Sequence, residues 1–84
     1  MKRMDVYKLI DSERDYQDMI EDTLHFTKTK TTGEWIVLIN HYTTEMNKEW
    51  SKNKGDDEAL EVMRKIAGIA VHCMEQHDTR PRLY

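Results

Sequence analysis

The sequence predicts an all-α protein, in which a subunit of two long core helices and an N-terminal helix assembles into a helical-bundle homo-oligomer. Helices are expected because one proline and three glycines interrupt 84 residues, and because methionine, glutamate and lysine favour helices. Apolar residues recur at helical spacing and are concentrated in the last third of the chain. Assembly is expected because a chain of this length buries only a thin core by itself.

Composition and charge exclude several classes of protein. The length fits one domain over residues 1–84, and the formal charge of −3 gives no basic footprint for nucleic acid. No apolar run approaches the ~20 residues of a membrane span, and Asp5 precedes any apolar signal segment. One cysteine, Cys73, excludes an intramolecular disulfide and a CxxC zinc site. We therefore expect a cytoplasmic protein without a membrane or nucleic-acid partner.

The first helix is predicted over about residues 5–24. Its polar positions are dense, so we expect the most soluble helix and the smallest share of the core. Its imperfect apolar stripe consists of Val6, Leu9, Ile10, Tyr16, Ile20 and Leu24. The threonine-rich connector 25–32 is predicted to be a loop rather than a β-hairpin arm, with His25 and Phe26 covering the corner between the first two helices.

The second helix is predicted over about residues 33–52. Thr31 and Glu34 have the Thr-x-x-Glu spacing of a capping box, and Gly55 is placed in the left-handed position after the helix. One apolar face carries Trp35, Leu38, Ile39, Tyr42, Met46 and Trp50. The two tryptophans are expected to anchor the core or an interface.

The third helix is predicted over about residues 57–76, capped by Asp56 or Asp57. Its apolar stripe is broad, and only Gly68 and His72 interrupt it between Ile66 and Met74. The stripe comprises Ala59, Val62, Met63, Ile66, Ala67, Ala70, Cys73 and Met74, extended by Leu60, Ile69 and Val71. A helix that is apolar on several sides needs cover on several sides, and a second subunit is expected to supply it. Residues 77–84 are predicted to be a flexible tail.

Three side chains on one flank of the second helix are candidates for metal or acid–base chemistry. His41 and Glu45 are four residues apart, and Glu49 follows one turn later. Together they could coordinate a divalent cation or polarise a water molecule. The structural alternative is a solvated helix flank with pairing between residues four apart.

The cations of the third helix and the tail are candidates for phosphate binding. Arg64 and Lys65 lie in an otherwise apolar or acidic half of their helix, where they could hold phosphate or cover the edge of the apolar stripe. Arg80 and Arg82 could close over an anionic ligand or remain in a solvated tail. Cys73 is expected to be a buried structural thiol.

Three segments resemble a known family. The stretch from Gly33–Ile39 through Arg64–His77, together with the upstream Glu13–Asp18, resembles small phage-encoded MazG-like proteins, relatives of the all-α nucleoside triphosphate pyrophosphohydrolases, over about 65 of the 84 residues. The resemblance implies a helical subunit that dimerises or tetramerises, often through a four-helix core, with nucleotide bound between helices. It also implies Mg²⁺ held by a Glu-x-x-Glu pair and a Glu-x-x-Asp pair.

The metal-binding pairs of that family are largely absent from this sequence. The first pair would fall on Tyr42 and Glu45 and the second on Arg64 and Ala67, so only Glu45 matches. A guanidinium at position 64 would repel Mg²⁺ but could hold phosphate directly. Hydrolysis by metal-activated water is therefore not expected, and no metal or cofactor is predicted.

The sequence thus predicts non-hydrolysing binding of a nucleotide or nucleotide-derived signalling molecule, which a phage protein could use to sequester a host defence signal. The residues predicted to bind it are Arg64, Lys65, Tyr42, Trp35, Arg80 and Arg82. One alternative is a Mg²⁺-dependent pyrophosphohydrolase that uses Glu45, His41 and Glu49. The other is a helical interaction module that acts on a host protein.

Overall fold

The computed structural model describes residues 1–24 and 29–83, without the side chain of Leu24. It contains three helices, α1 (Arg3–Leu24), α2 (Thr32–Ser51) and α3 (Asp57–His77), and no strand within those residues. The predicted all-α class with three helices is confirmed, and each bound lies within two residues of its predicted position. The prediction for His25, Phe26 and the first half of the connector lies outside the described residues.

The third helix is the centre of the fold. It packs against both α1 and α2, whereas the Cα atoms of α1 and α2 stay more than 8 Å apart. The two outer helices α1 and α2 therefore both pack on α3, with a space between them. No helix in the described ranges combines the length and apolarity that crossing a membrane requires.

The ends of α2 follow local sequence signals. The side chain of Thr31 accepts a hydrogen bond from the backbone N–H of Glu34 at 3.1 Å, and Glu34 accepts one from the Thr31 N–H at 3.0 Å. The predicted capping box is thus confirmed. After the C-cap residue Lys52, the first left-handed residue is Asn53 (φ 53°) rather than Gly55, which takes φ 90° two residues later. Asparagine tolerates this conformation, so the glycine was not needed at the first position.

The start of α3 lacks the predicted side-chain cap. Asp56 is the N-cap residue, but its side chain makes no capping hydrogen bond. Asp57 and Glu58 lie in the first turn, where their negative charge interacts favourably with the helix dipole.

The predicted apolar stripe of α1 coincides only in part with the face that packs against α3, because Ile10 and Ile20 are half-buried but other members are not. Val6, Leu9 and Tyr16 are exposed, whereas Glu13 and Arg14 are buried at 6% and 7% exposure. The stripe predicted only part of the buried face, because hydrophobicity alone does not identify charged side chains that find partners across the interface.

The apolar core lies between α2 and α3. Trp35 is 2% exposed, and Ala59 and Ile69 are also buried. Trp50, predicted to share the face of Trp35, is 65% exposed at the other end of α2. The core is therefore built around one tryptophan rather than two.

The most buried positions of α3 include the two that interrupt its apolar run. Gly68 and His72 are both buried, while Leu60, Met63 and Met74 are about half exposed. Gly68 is buried because α1 crosses α3 there, and His72 because it packs against the Trp35 ring. The broad apolar stripe is therefore only partly covered within one chain.

Candidate functional site: the groove between α1 and α2

The Cα atoms of α1 and α2 stay more than 8 Å apart, and an open groove of about 470 Å³, which we call the α1/α2 groove, runs between these helices. Its floor is formed by Lys65, Ile69 and His72 of α3. The α1 wall includes Glu13, Tyr16, Gln17, Ile20 and Glu21, and the opposite wall includes Lys30, Trp35, Leu38 and Tyr42. The groove combines apolar surface, two phenol rings and side chains of both charges, a composition typical of sites for small polar ligands.

Gln76 fixes the α2 wall of the groove. Its Oε1 accepts hydrogen bonds from the indole N–H of Trp35 at 3.0 Å and from the backbone N–H of Lys30 at 3.3 Å. The next residue, His77, donates through Nε2 to the Lys30 carbonyl at 2.7 Å. Both backbone groups of Lys30 are therefore held by the last turn of α3, and its ammonium lies 4.8 Å from the centre of the Trp35 ring.

The hydrogen bonds of Gln76 also identify the tautomer of His72. Because Gln76 Oε1 already accepts two hydrogen bonds, the neighbouring group at 3.2 Å from His72 Nε2 is its amide NH₂. That amide donates, so His72 Nε2 accepts and the ring proton is on Nδ1. Nδ1 lies 3.5 Å from a carboxylate oxygen of Glu21, which also lines the groove.

Lys65 provides the positive charge of the groove floor. Its ammonium lies 4.9 Å from the centre of the Tyr42 ring, and it forms no ion pair with any residue that the structure describes. The His41 ring meets the Tyr42 ring edge-on, with 5.1 Å between the two ring centres. The Lys65 ammonium is therefore in contact with an aromatic ring and is not paired with a carboxylate of the described residues.

A polar network joins α1 to α3 beside the groove. Glu13 accepts from Arg64 Nε at 3.1 Å and from Gln17 Nε2 at 3.1 Å, and Gln17 also donates to the Lys65 carbonyl. Gly68 permits this approach, since a Cβ there would lie 2.8 Å from Gln17 Nε2 and from Glu13 Cγ. The glycine thus has a packing role that its place in the apolar run concealed.

Arg14 forms a second polar link between α1 and α3. It donates to Glu75 at 2.8 Å and to Asp18 at 3.0 Å. Burial alone would lower the pKa of Arg14, but the hydrogen bonds to Glu75 and Asp18 outweigh burial and raise the pKa above its ordinary value. One buried nitrogen, Nη1, has no acceptor among the described residues.

One cluster in the described residues has the composition of a metal site. Asp18, Glu21 and His72 offer ligand atoms within 4.8 Å of one another. However, Asp18 pairs with Arg14, and a metal on His72 Nδ1 would require a proton on Nε2, where the Gln76 amide already donates. The hydrogen-bond network therefore opposes metal binding by this cluster.

Three of the six predicted ligand residues line the α1/α2 groove, namely Trp35, Tyr42 and Lys65. Trp35 is almost fully buried, so it forms the wall and has no open face for a base. Arg64 lines a neighbouring pocket of about 400 Å³ and is paired with Glu13. Arg80 and Arg82 are exposed in the tail and do not line the groove.

The predicted metal or acid–base flank of α2 lies outside the groove. His41 is exposed, Glu45 lies 3.5 Å from Lys48, and Glu49 lies 2.8 Å from Lys52. The ion pair with Lys52 lowers the pKa of Glu49, chiefly through the side-chain hydrogen bond. These carboxylates thus pair with nearby lysines, as the structural alternative described, but the partners are three residues apart rather than four.

Sequence reasoning missed several residues that line the groove or hold its wall in place. Lys30 was assigned to a loop, Tyr16 to the core stripe of α1, and Glu21 and Gln76 to no site. The lone cysteine Cys73 is partly buried, without a role in the groove. No local pattern marks these residues, because the pairing between helices depends on how they cross.

The chain matches no known protein family, no curated protein and no solved structure in the three comparisons. The resemblance to MazG-like proteins therefore stays a prediction. Any functional conclusion depends on the geometry of the α1/α2 groove.

Proposed function

We propose that this protein binds a nucleotide or nucleotide-derived signalling molecule in the α1/α2 groove and does not hydrolyse it. The observation that carries the proposal is the joint presence of two ammonium groups, from Lys30 and Lys65, and two phenol rings, from Tyr16 and Tyr42, around one groove. Ammonium groups bind phosphate as point charges, and exposed rings provide stacking surfaces for bases.

The size and charge of the groove support a ligand of this class. A volume of about 470 Å³ is within the range of small-molecule sites. Arg64 already compensates the negative charge of Glu13, which leaves the Lys65 ammonium for a ligand. Tyr16 is 52% exposed and stands on the wall opposite Tyr42, so a planar base has an accessible ring to stack on.

The absence of hydrolysis is proposed from the charges of the available side chains. Metal-assisted hydrolysis generally needs several carboxylates that converge on one cation. Arg64 places a guanidinium where the resemblance would put a carboxylate, and it is held by Glu13. A protein that binds such a molecule intact would lower its free concentration, which fits the sequestration of a host defence signal by a phage protein.

We further propose that the subunits form a homo-oligomer through α2 and α3. Leu60, Met63, Ala67, Ala70 and Met74 have the three- and four-residue spacing of a coiled-coil seam, and the three large ones are 45–53% exposed. Exposed Ile36, Val37 and Trp50 add apolar surface on α2. A second copy would bury these side chains. The rival interpretation is an interaction module whose α3 seam binds a host protein.

Thermal unfolding with a panel of ribonucleotides and cyclic dinucleotides, with and without Mg²⁺, tests the proposed binding. A ligand that binds only the folded state must raise the melting temperature. We expect at least one nucleotide to do so without Mg²⁺, and Lys65→Glu to abolish the increase. Lys54→Glu, which reverses an exposed lysine outside the groove, is the matched control.

Unchanged melting temperatures across the panel would contradict nucleotide binding and favour the interaction module. Release of pyrophosphate with Mg²⁺, abolished by Glu45→Gln, would instead identify a Mg²⁺-dependent pyrophosphohydrolase.

A further inference from the structure

We propose that the C-terminal tail, residues 79–83, binds to a second copy of the chain in an acidic pocket between α1 and α3. This acidic pocket is separate from the α1/α2 groove and has a volume of about 410 Å³. The proposed occupant is the tail segment of another subunit, so the contact joins one surface of the protein to a different surface of its neighbour.

The pocket combines negative charge with an apolar surface. Four carboxylates line it, from Asp11, Asp15, Asp18 and Glu75. The side chains of Tyr7, Ile10 and Val71 contribute the apolar part. A complementary segment must therefore carry both positive charge and apolar groups.

The positive charge inside the pocket is too small to balance these carboxylates. Arg14 is the only cation among the described residues that lines it, and its hydrogen bonds go to Asp18 and Glu75. Asp11 and Asp15 form no ion pair with any residue in the described ranges. Two carboxylates thus remain for cations from outside.

Arg14 supplies a second observation that points to a bound segment. It is 7% exposed, and its Nη1 is a buried donor without an acceptor among the described residues. A buried donor of this kind costs free energy until it finds an acceptor. Because Arg14 lines the pocket, a backbone carbonyl of an extended peptide that enters it is the acceptor that we assign to this donor.

The tail carries both the positive charge and the apolar side chain that the acidic pocket requires. Arg80 and Arg82 supply two cations, Pro81 favours an extended backbone between them, and Leu83 supplies an apolar side chain that is 93% exposed. Five extended residues span about 16 Å, enough to cross a pocket of this size. The arginines can meet Asp11 and Asp15 while Leu83 contacts the apolar surface.

A second copy is the proposed occupant because the tail of the same chain is not seated in the pocket. Residues 78–83 are exposed after α3 ends at His77. A contact between unlike surfaces repeats from subunit to subunit, so it closes into a ring or joins smaller assemblies. The tail contact is distinct from the proposed contact through the α3 seam. Met63→Glu would disrupt the contact through the seam.

Sedimentation velocity of full-length variants tests this contact. One variant carries Arg80→Glu and Arg82→Glu, and the other carries Asp11→Lys and Asp15→Lys. Each alone should form smaller particles than the unmodified protein at low salt, with association weaker by roughly tenfold or more, because like charges then meet. An equimolar mixture should regain larger particles, since the reversed charges are complementary.

The control variant carries Lys2→Glu and Lys54→Glu, two exposed lysines outside the acidic pocket, and should keep the original particle size. If a charge-reversed variant loses its helical circular dichroism, Arg80→Ala with Arg82→Ala replaces it and should also give smaller particles. The proposal is overturned if both reversed variants keep the original size, if their mixture regains nothing, or if the unmodified protein is monomeric at every concentration.

Discussion

The two contacts of α3 differ in chemistry. Towards α2, the contact is built on Trp35, which is 2% exposed and hydrogen-bonded to Gln76. Towards α1, the buried side chains are the charged Glu13 and Arg14, which are held by Arg64 and Glu75. One contact is therefore stabilised mainly by apolar burial and the other by directional pairs of charges.

This difference assigns different roles to the two outer helices. Burial of apolar surface stabilises the folded state directly. The attraction within a buried ion pair, by contrast, exceeds the free-energy cost of removing its charges from water by little. We infer that the α2–α3 contact supplies most of the stability, and that the α1–α3 pairs fix the register of α1. The α1 wall of the groove should then open at a lower free energy than the α2 wall, which would admit a ligand.

The largest effect is predicted for a substitution that disrupts the apolar contact between α2 and α3. Trp35→Ala should lower the free energy of unfolding by about 3–5 kcal/mol, because it removes a fully buried ring. That is a large share of the total for a domain of 84 residues, at roughly 0.05–0.15 kcal/mol per residue. Urea unfolding followed by circular dichroism measures the loss.

Trp50→Ala is the matched control, since that ring is 65% exposed. It should change stability by about 0.5 kcal/mol or less in the separated subunit. A larger effect that grows with protein concentration would report subunit association through α2. Equal losses for both tryptophans at low concentration would contradict the proposed position of the core.

A smaller effect is expected from the polar contact. Arg64→Leu leaves the buried Glu13 carboxylate without its cation and should cost about 1–3 kcal/mol. Glu13→Gln should cost less, because Arg64 is 44% exposed in its side chain and can be solvated. In the double variant the two losses should not add, with a coupling of about 1 kcal/mol. Additive losses in urea unfolding would show that this pair does not act as a unit.

The smallest effect concerns the start of α2 and is visible only through pH. The hydrogen bond from the Thr31 backbone is the main cause that lowers the pKa of Glu34 below its ordinary value of 4.5. A lowered folded-state pKa gives stability that is present above pH 4.5 and is lost as pH falls through the folded pKa. Glu34→Gln can still accept the capping bond but has no charge to titrate.

The melting temperature of the Glu34→Gln variant should therefore fall less than that of the unmodified protein between neutral pH and pH values below 4.5. Glu61→Gln, which removes an exposed carboxylate outside the capping box, serves as the comparison. An identical acid-induced decrease in the unmodified protein and the Glu34→Gln variant would rule out a contribution from this carboxylate.

The sequence predicted the features that depend on neighbours along the chain. The capping box of Thr31 and Glu34 and the helical face headed by Trp35 are local patterns, and the structure contains both. It did not predict the burial of Glu13 and Arg14, because their partners lie 51 and 61 residues away. Such pairs depend on the crossing of α1 over α3, which no local spacing encodes.

The same reason explains the mixed result at the candidate site. Tyr42 and Lys65 were predicted from helix periodicity and charge, and both line the α1/α2 groove. Lys30 was not predicted, because its position depends on Gln76 and His77 at the far end of α3. The sequence identified cations and aromatic rings, but only the packing selected which of them meet.

Native mass spectrometry of the purified protein tests the central claim most directly, because it reports a bound ligand and its intact mass together. After incubation with the nucleotide panel and Mg²⁺, the account predicts a complex that carries an intact nucleotide and is lost in Lys65→Glu but not in Lys54→Glu. A protein that remains ligand-free throughout, or a complex that contains only the product of pyrophosphate release, would contradict it.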